Sequence, residues 1–163
     1  MSTAAAGVRA DDDLSPAEEL EERPPLTRMA IALLALVGLT ISTYLTLYKV
    51  GLLGEIQCTI GSCEKVQTSP WSYFLGLPVS AWGLGAYITL LVVAVLGVQP
   101  RFARERWVAL ALFGLAAVGV AFSAYLTYLE AYVIHAWCQW CVISAILITL
   151  IFLLSLPGLR QAR

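Results

Sequence analysis

Charge is what this sequence has least of. Charged side chains make up 13% of its 163 residues and apolar ones 60%, whereas an ordinary soluble domain carries about 25% charge. That shortage excludes most water-soluble readings. Ten Lys and Arg against eleven Asp and Glu leave a net charge of −1, so neither a basic face for nucleic acid nor an acidic face for basic partners is available. Acidic residues become scarcer still along the chain. Asp11, Asp12, Asp13, Glu18, Glu19, Glu21 and Glu22 stand at the head, and only Glu55, Glu64, Glu105 and Glu130 follow. The head, residues 1–28, also holds Pro16, Pro24 and Pro25 and reads as a disordered acidic tail.

Long apolar runs take the place of charge. Four of them, at about 29–48, 79–98, 107–131 and 137–156, hold no charged residue except Glu130 at the end of the third. A hydrocarbon core of roughly 30 Å takes about 20 residues of helix, the form that satisfies its own backbone where water is absent. The predicted architecture is an all-α membrane protein, a four-transmembrane-helix bundle over residues 29–157. Its outer loops span 50–78 and 132–136, and a tail follows at 158–163. The first run is too long for a signal-peptide core, follows an acidic leader and lacks a small-x-small cleavage site, so it reads as retained.

Orientation follows from the ten basic residues, because cytoplasmic segments hold the excess. Arg9, Arg23, Arg28, Arg101, Arg104, Arg106, Arg160 and Arg163 fall on one side and only Lys49 and Lys65 on the other. Eight against two places both termini in the cytoplasm and the loop at 50–78 outside.

All four cysteines then lie outside, where disulfides persist. Cys58 and Cys63 form a C-x4-C pair in the first outer loop; Cys138 and Cys141 form a C-x-x-C at the start of the fourth span. A helix start favours the thiolate, and the i, i+3 spacing puts both sulfurs on one face, which is a redox arrangement. The alternatives are two structural disulfides and a four-thiolate zinc site. Clips this short constrain little chain, and the two pairs are separated by two spans without the glycine-rich composition of a zinc ribbon. No metal site is therefore expected.

The chain also echoes itself. Ser42-Thr43-Tyr44-Leu45-Thr46 in the first run is matched by Ser123-Ala124-Tyr125-Leu126-Thr127 in the third, each followed by a cysteine pair; Val79-Ser80-Ala81 is matched by Ile143-Ser144-Ala145. Parallel repeats of helix pairs build membrane proteins. Small and hydroxyl residues are also common wherever membrane helices meet.

The combination of Ser42-x-Tyr44-Leu45-Thr46, Cys58-x4-Cys63, Ser69-x-Trp71, Gly76-Leu77-Pro78-x3-Trp82-Gly83, Tyr125-Leu126-x-Tyr128-Leu129-Glu130 and His135-Ala136-x-Cys138-x-Trp140-Cys141 resembles the bacterial branch of the vitamin K epoxide reductase family. The resemblance runs from Gly38 to Ala145. It implies a thiol:quinone oxidoreductase in the bacterial cytoplasmic membrane, multi-pass, with its active site on the extracytoplasmic side. Such an enzyme links disulfide formation in secreted proteins to a membrane quinone of the menaquinone or ubiquinone type. Cys138 and Cys141 would be the quinone-side pair, with Cys141 facing the ring. Cys58 and Cys63 would be the shuttle pair, Cys58 meeting the partner and Cys63 passing electrons to Cys138 through a mobile loop.

Many relatives continue into a fused thioredoxin-like domain. Here only Pro157 to Arg163 follows the fourth run, so the implied partner is a separate thioredoxin-fold, DsbA-like thiol oxidase. Animal relatives carry a tyrosine and an asparagine where this chain has Ala145 and Val79. Quinone reduction is therefore expected rather than epoxide reduction. The quinone contacts expected are Cys141, Ser69, Trp71, Phe74, Trp82 and Trp140, with Trp137 a further candidate wall. Trp107 reads as an interfacial anchor. His135 reads first as an interfacial side chain facing water and Glu130 as a helix-end carboxylate near the outer surface, and each reads second as a proton carrier. A non-enzymatic scaffold or small transporter with structural disulfides is the competing class.

Overall fold

The computed structural model describes residues 26–102 and 105–161. The first helix, α1 (Leu26–Lys49), leads through a long loop into the short helix α2 (Cys63–Thr68) and a 3-10 turn (Pro70–Ser72). Two residues each of β1 (Tyr73–Phe74) and β2 (Leu77–Pro78) make a small antiparallel hairpin. Then come α3 (Val79–Val98), α4 (Arg106–Tyr128) with a wider π-helical turn (Leu129–Ile134), and α5 (Gln139–Gln161). The four long helices have the length and apolarity to cross a membrane.

They close into a ring in which α1 packs mainly on α3, α3 on α4, α4 on α5 and α5 back on α1. Outward-facing positions are apolar: Leu33 is 64% exposed and Ile146 55%. A water-soluble bundle would put polar residues there. The interior is narrow because small residues line it. Ala35, Ala94 and Ala116 are buried beside Ile31, Leu90 and Ile151, and small side chains let membrane helices approach closely. Closest of all is Gly38, where an added Cβ would collide with the Tyr87 ring. That ring crosses from α3 to α5, and its hydroxyl meets the Ser144 carbonyl at 3.0 Å and the Ser144 Oγ at 2.9 Å.

The helix ends differ from expectation in three places. First, α1 starts at Leu26, directly after Pro24-Pro25, so only residues 1–25 of the expected tail remain, outside the described residues. Arg28 therefore sits in the first helical turn, where its guanidinium donates to the carbonyls of Gly97 (2.7 Å) and Phe102 (3.2 Å). It satisfies groups that the end of α3 leaves open. Second, the third span continues past Ala131 to Ile134 in π-helical form, which shortens the second outer loop and delays α5 to Gln139. Third, α5 runs through Pro157 to Gln161, so residues 158–161 are helix rather than tail.

Candidate functional site

The loop after α1 folds back over one end of the bundle and is fixed there by backbone and side-chain bonds. Gly61 pairs with Cys138 in an antiparallel bridge, and the Ser62 N–H donates to the Trp137 carbonyl at 2.9 Å. Gly61 has φ of 91°, and a Cβ at this position would run into the Trp137 carbonyl, so the approach requires glycine. Gln139 Oε1 accepts the N–H groups of Thr59 and Ile60, each at 2.9 Å. Trp140 Nε1 donates to the Gln57 carbonyl at 2.8 Å, and the Gln57 N–H donates to the Tyr44 hydroxyl at 2.9 Å. A segment predicted to be mobile is thus seen docked on the start of α5.

This docking brings the cysteines together. Cys58 and Cys63 form a disulfide, whereas Cys138 and Cys141 stand as two thiols. Cys63 and Cys138 are both fully buried and belong to one cluster with Val66 and Ala136. Cys58 keeps partial exposure and, with Cys63, lines a polar surface depression bounded by Glu64, Lys65 and Thr68. The Cys141 thiol, hydrogen-bonded to the Cys138 sulfur, holds Cys138 below the ordinary thiol value. Backbone N–H groups of Cys141 and Trp140 add to this, while burial and the charge of Glu130 oppose it.

A second fixture holds the other half of the loop. Lys49 Nζ at the end of α1 donates to the Gln67 carbonyl and, at 2.7 Å, to Ser72 Oγ, and lies 4.3 Å from the centre of the Tyr73 ring. Ser69 Oγ donates to the Val66 carbonyl at 2.8 Å. Trp82 Nε1 donates to the Phe74 carbonyl at 3.0 Å, and Phe74 also packs edge-on against Phe122 at 5.5 Å.

Below these residues lies a cavity of about 360 Å³ between the helices. Its walls are largely apolar, with Ile41, Leu45, Leu115, Leu126 and Ile148 among them, and its size lies in the range of small-molecule sites. Cys141 lines it, and Cys138, Cys58 and Cys63 do not. Of the other expected contacts, Ser69, Trp71, Phe74 and Trp82 line it too. Trp140 does not: its ring packs against Tyr44 at 5.4 Å and its N–H is bonded to the loop. Trp137 is exposed and contributes its carbonyl to Ser62. Trp107 packs edge-on against Phe102 at 6.2 Å, at the far end of the bundle.

Three residues carry more than their positions in the sequence suggest. Glu130, read first as a helix-end carboxylate near the outer surface, is buried. Its Oε2 accepts the Cys138 N–H at 3.1 Å, and it lines the same cavity as Cys141. The π-helical turn changes the angular step between residues and aims this side chain inward. His135, by contrast, is exposed and ends that turn in a left-handed conformation, its N–H bonded to the Glu130 carbonyl. Gln67 is buried and points its amide at Cys141 Sγ from 3.9 Å. Ser80 Oγ, on the cavity wall, is buried without any hydrogen-bond partner, alone in this among the described residues.

A loop disulfide, a buried sulfur junction and a thiol at the edge of an apolar membrane cavity make a site for thiol–disulfide exchange. Independently, the sequence profile of the vitamin K epoxide reductase family matches residues 29–156, most of the chain. The protein is a member of the vitamin K epoxide reductase family, a multi-pass membrane thiol–disulfide oxidoreductase.

Proposed function

We propose that this protein reoxidises a separate thioredoxin-fold partner and passes the two electrons to a membrane quinone, supporting disulfide formation outside the cytoplasm. The observation that carries this reading is the spatial order of the sulfurs. Cys58 is reachable from the surface, Cys63 and Cys138 share a buried cluster, and Cys141 alone faces the cavity.

The cavity suits a quinone. A flat lipophilic ring needs apolar walls and a few polar contacts, and the orphaned Ser80 hydroxyl is a buried group left for a ligand's carbonyl to satisfy. Ser80, Ser69, Phe74, Trp71 and Trp82 would hold it beside Cys141. When bound, it supplies a two-electron, two-proton acceptor.

The protein's own steps are exchanges of thiolate with disulfide. A partner thiolate attacks Cys58, and Cys63 leaves as thiolate. Cys63 then attacks Cys138 of the oxidised Cys138–Cys141 pair, forming a Cys63–Cys138 bond and releasing Cys141 at the cavity edge. The depressed thiol pKa of Cys138 suits the return exchange, because more of it is thiolate at neutral pH.

The test is quinone reduction, followed by absorbance, with a reduced thioredoxin-fold dithiol as donor. Cys138→Ala and Cys141→Ala are expected to abolish it. Cys58→Ala is expected to lose the protein donor yet still oxidise dithiothreitol. Full activity in Cys141→Ala would overturn the mechanism.

A further inference from the structure

Glu130 is a carboxylate where carboxylates are costly, inside a membrane helix and away from water. Its hydrogen-bond donor is neutral, the Cys138 N–H, and it lines the same cavity as the Cys141 thiol, a second neutral donor. A buried charge persists only while donors point at it. The first donor is permanent. The second exists only in the reduced state, since a disulfide sulfur has no hydrogen to give. The other groups facing this spot bring no cation: Gln67 from α2 is a neutral amide aimed at Cys141, Cys138 is a thiol, and His135 at the end of the same turn is exposed.

From this geometry we infer that Glu130 is the proton carrier for Cys141. It is protonated while Cys138 and Cys141 are joined, and gives that proton to Cys141 when the bond opens. Cys63 thiolate attacks Cys138; the Cys63–Cys138 bond forms and the Cys138–Cys141 bond breaks. Cys141 leaves with the electron pair and receives the Glu130 proton. The product has the Cys141 thiol and the Glu130 carboxylate on one cavity wall, with both cysteines reduced as in the structure. The partner's second thiolate then displaces Cys58, and Cys58 thiolate displaces Cys138 from Cys63, which restores the loop disulfide and leaves Cys138 to take a proton from water. On reoxidation the Cys141 proton returns to Glu130, and the electron pair goes to the acceptor. Two protons are needed there. One comes from the Cys138 thiol and one from water, balancing the proton that the carboxyl retains. The inference rests on the exchange mechanism above and does not require that the acceptor be a quinone.

The experiment therefore contains no quinone. Full-length protein carrying Cys58→Ala and Cys63→Ala, so that one cysteine pair titrates, is oxidised with diamide and reduced with dithiothreitol in an infrared cell. Oxidation is expected to produce the carbonyl-stretch band of a protonated carboxyl, shifting in deuterium oxide. Glu130→Gln should lack the band, and Glu130→Asp should keep it at a shifted frequency. Reduction of the pair by dithiothreitol should slow about a hundredfold in Glu130→Gln, the low end of general-acid assistance, and recover in part in Glu130→Asp. Glutamine still offers an oxygen to the Cys138 N–H, so the fold has its contact. No redox-dependent carboxyl band, a band that survives in Glu130→Gln, or an unchanged reduction rate would each overturn the inference. Absence of quinone reduction in the unmodified protein would instead refute the acceptor assignment and leave this result standing.

Discussion

Ser80 separates the needs of the empty protein from those of a ligand. A buried hydroxyl without a partner costs about 1–3 kcal/mol. Removing it should therefore help the protein alone and harm the complex. Ser80→Ala is expected to raise the unfolding free energy by about 1 kcal/mol in detergent and to weaken quinone binding about tenfold, one hydrogen bond's worth. Thermal unfolding and quinone titration measure the two effects, and the same sign in both would contradict the assignment. Cys138 offers a pH test. Its thiol lies below the ordinary value chiefly because the Cys141 thiol is bonded to its sulfur. Cys141→Ala removes that bond and should move the thiol upward. Exchange of Cys138 with the loop disulfide should then need higher pH, its rate midpoint displaced in the alkaline direction. A quenched-flow alkylation series across pH reads this, and an unmoved midpoint would assign the lowering to the backbone N–H groups instead.

Helix by helix, the internal echo acquires a physical meaning. Ser42, Ser80, Ser123 and Ser144 all line the central cavity, one from each long helix. Thr46 and Thr127 each return a hydrogen bond to the carbonyl of the serine four residues earlier, at 2.7 and 2.9 Å. The repeat was legible in the sequence because it sits inside long apolar runs, where a polar residue stands out. The runs themselves placed α3 at residues 79–98, since hydropathy alone decides where a membrane helix lies. The π-helical turn at Leu129–Ile134 was not legible, because its ladder breaks the 3.6-residue period by which faces are assigned. The burial of Glu130 was not legible for that reason, since no regular period tells which way its side chain faces. Gln67 had no signal either, being one glutamine in the short helix α2, held by Lys49 from another element. Close packing makes the clearest prediction at this level. Gly38→Ala drives a methyl into the Tyr87 ring and should cost about 1–3 kcal/mol. The loss should be recovered in part by Tyr87→Leu, which removes the ring, as measured by unfolding in a denaturing-detergent titration. Equal losses in the single and double variants would mean that the helices separate without regard to this contact.

Across the whole molecule the two ends of the bundle differ in chemistry. One end carries the cysteines and the docked loop; the other carries Arg28, bonded to the end of α3, Arg101 in the connection to α4 and Arg106 at the start of α4. Lipid gives no preference between the two ways of inserting a symmetric apolar bundle, so the choice falls to the flanking charge. In the sequence, eight basic residues precede or open α1, fall between α3 and α4 or at the start of α4, or close or follow α5, against two between the end of α1 and α3. This predicts that the cysteine end faces away from the cytoplasm. The prediction matters to the chemistry, because a reducing cytoplasm would keep Cys58 and Cys63 as thiols and leave the exchange without its starting disulfide. Reporter fusions in a bacterial host decide it. Alkaline phosphatase, which folds only outside the cytoplasm, should be inactive when fused after Arg163 and active when inserted after Gly54, an exposed loop position. A fluorescent protein that matures only in the cytoplasm should give the opposite pattern. Phosphatase activity at the C-terminal fusion would reverse the orientation and place the sulfur relay on the side where it cannot be kept oxidised.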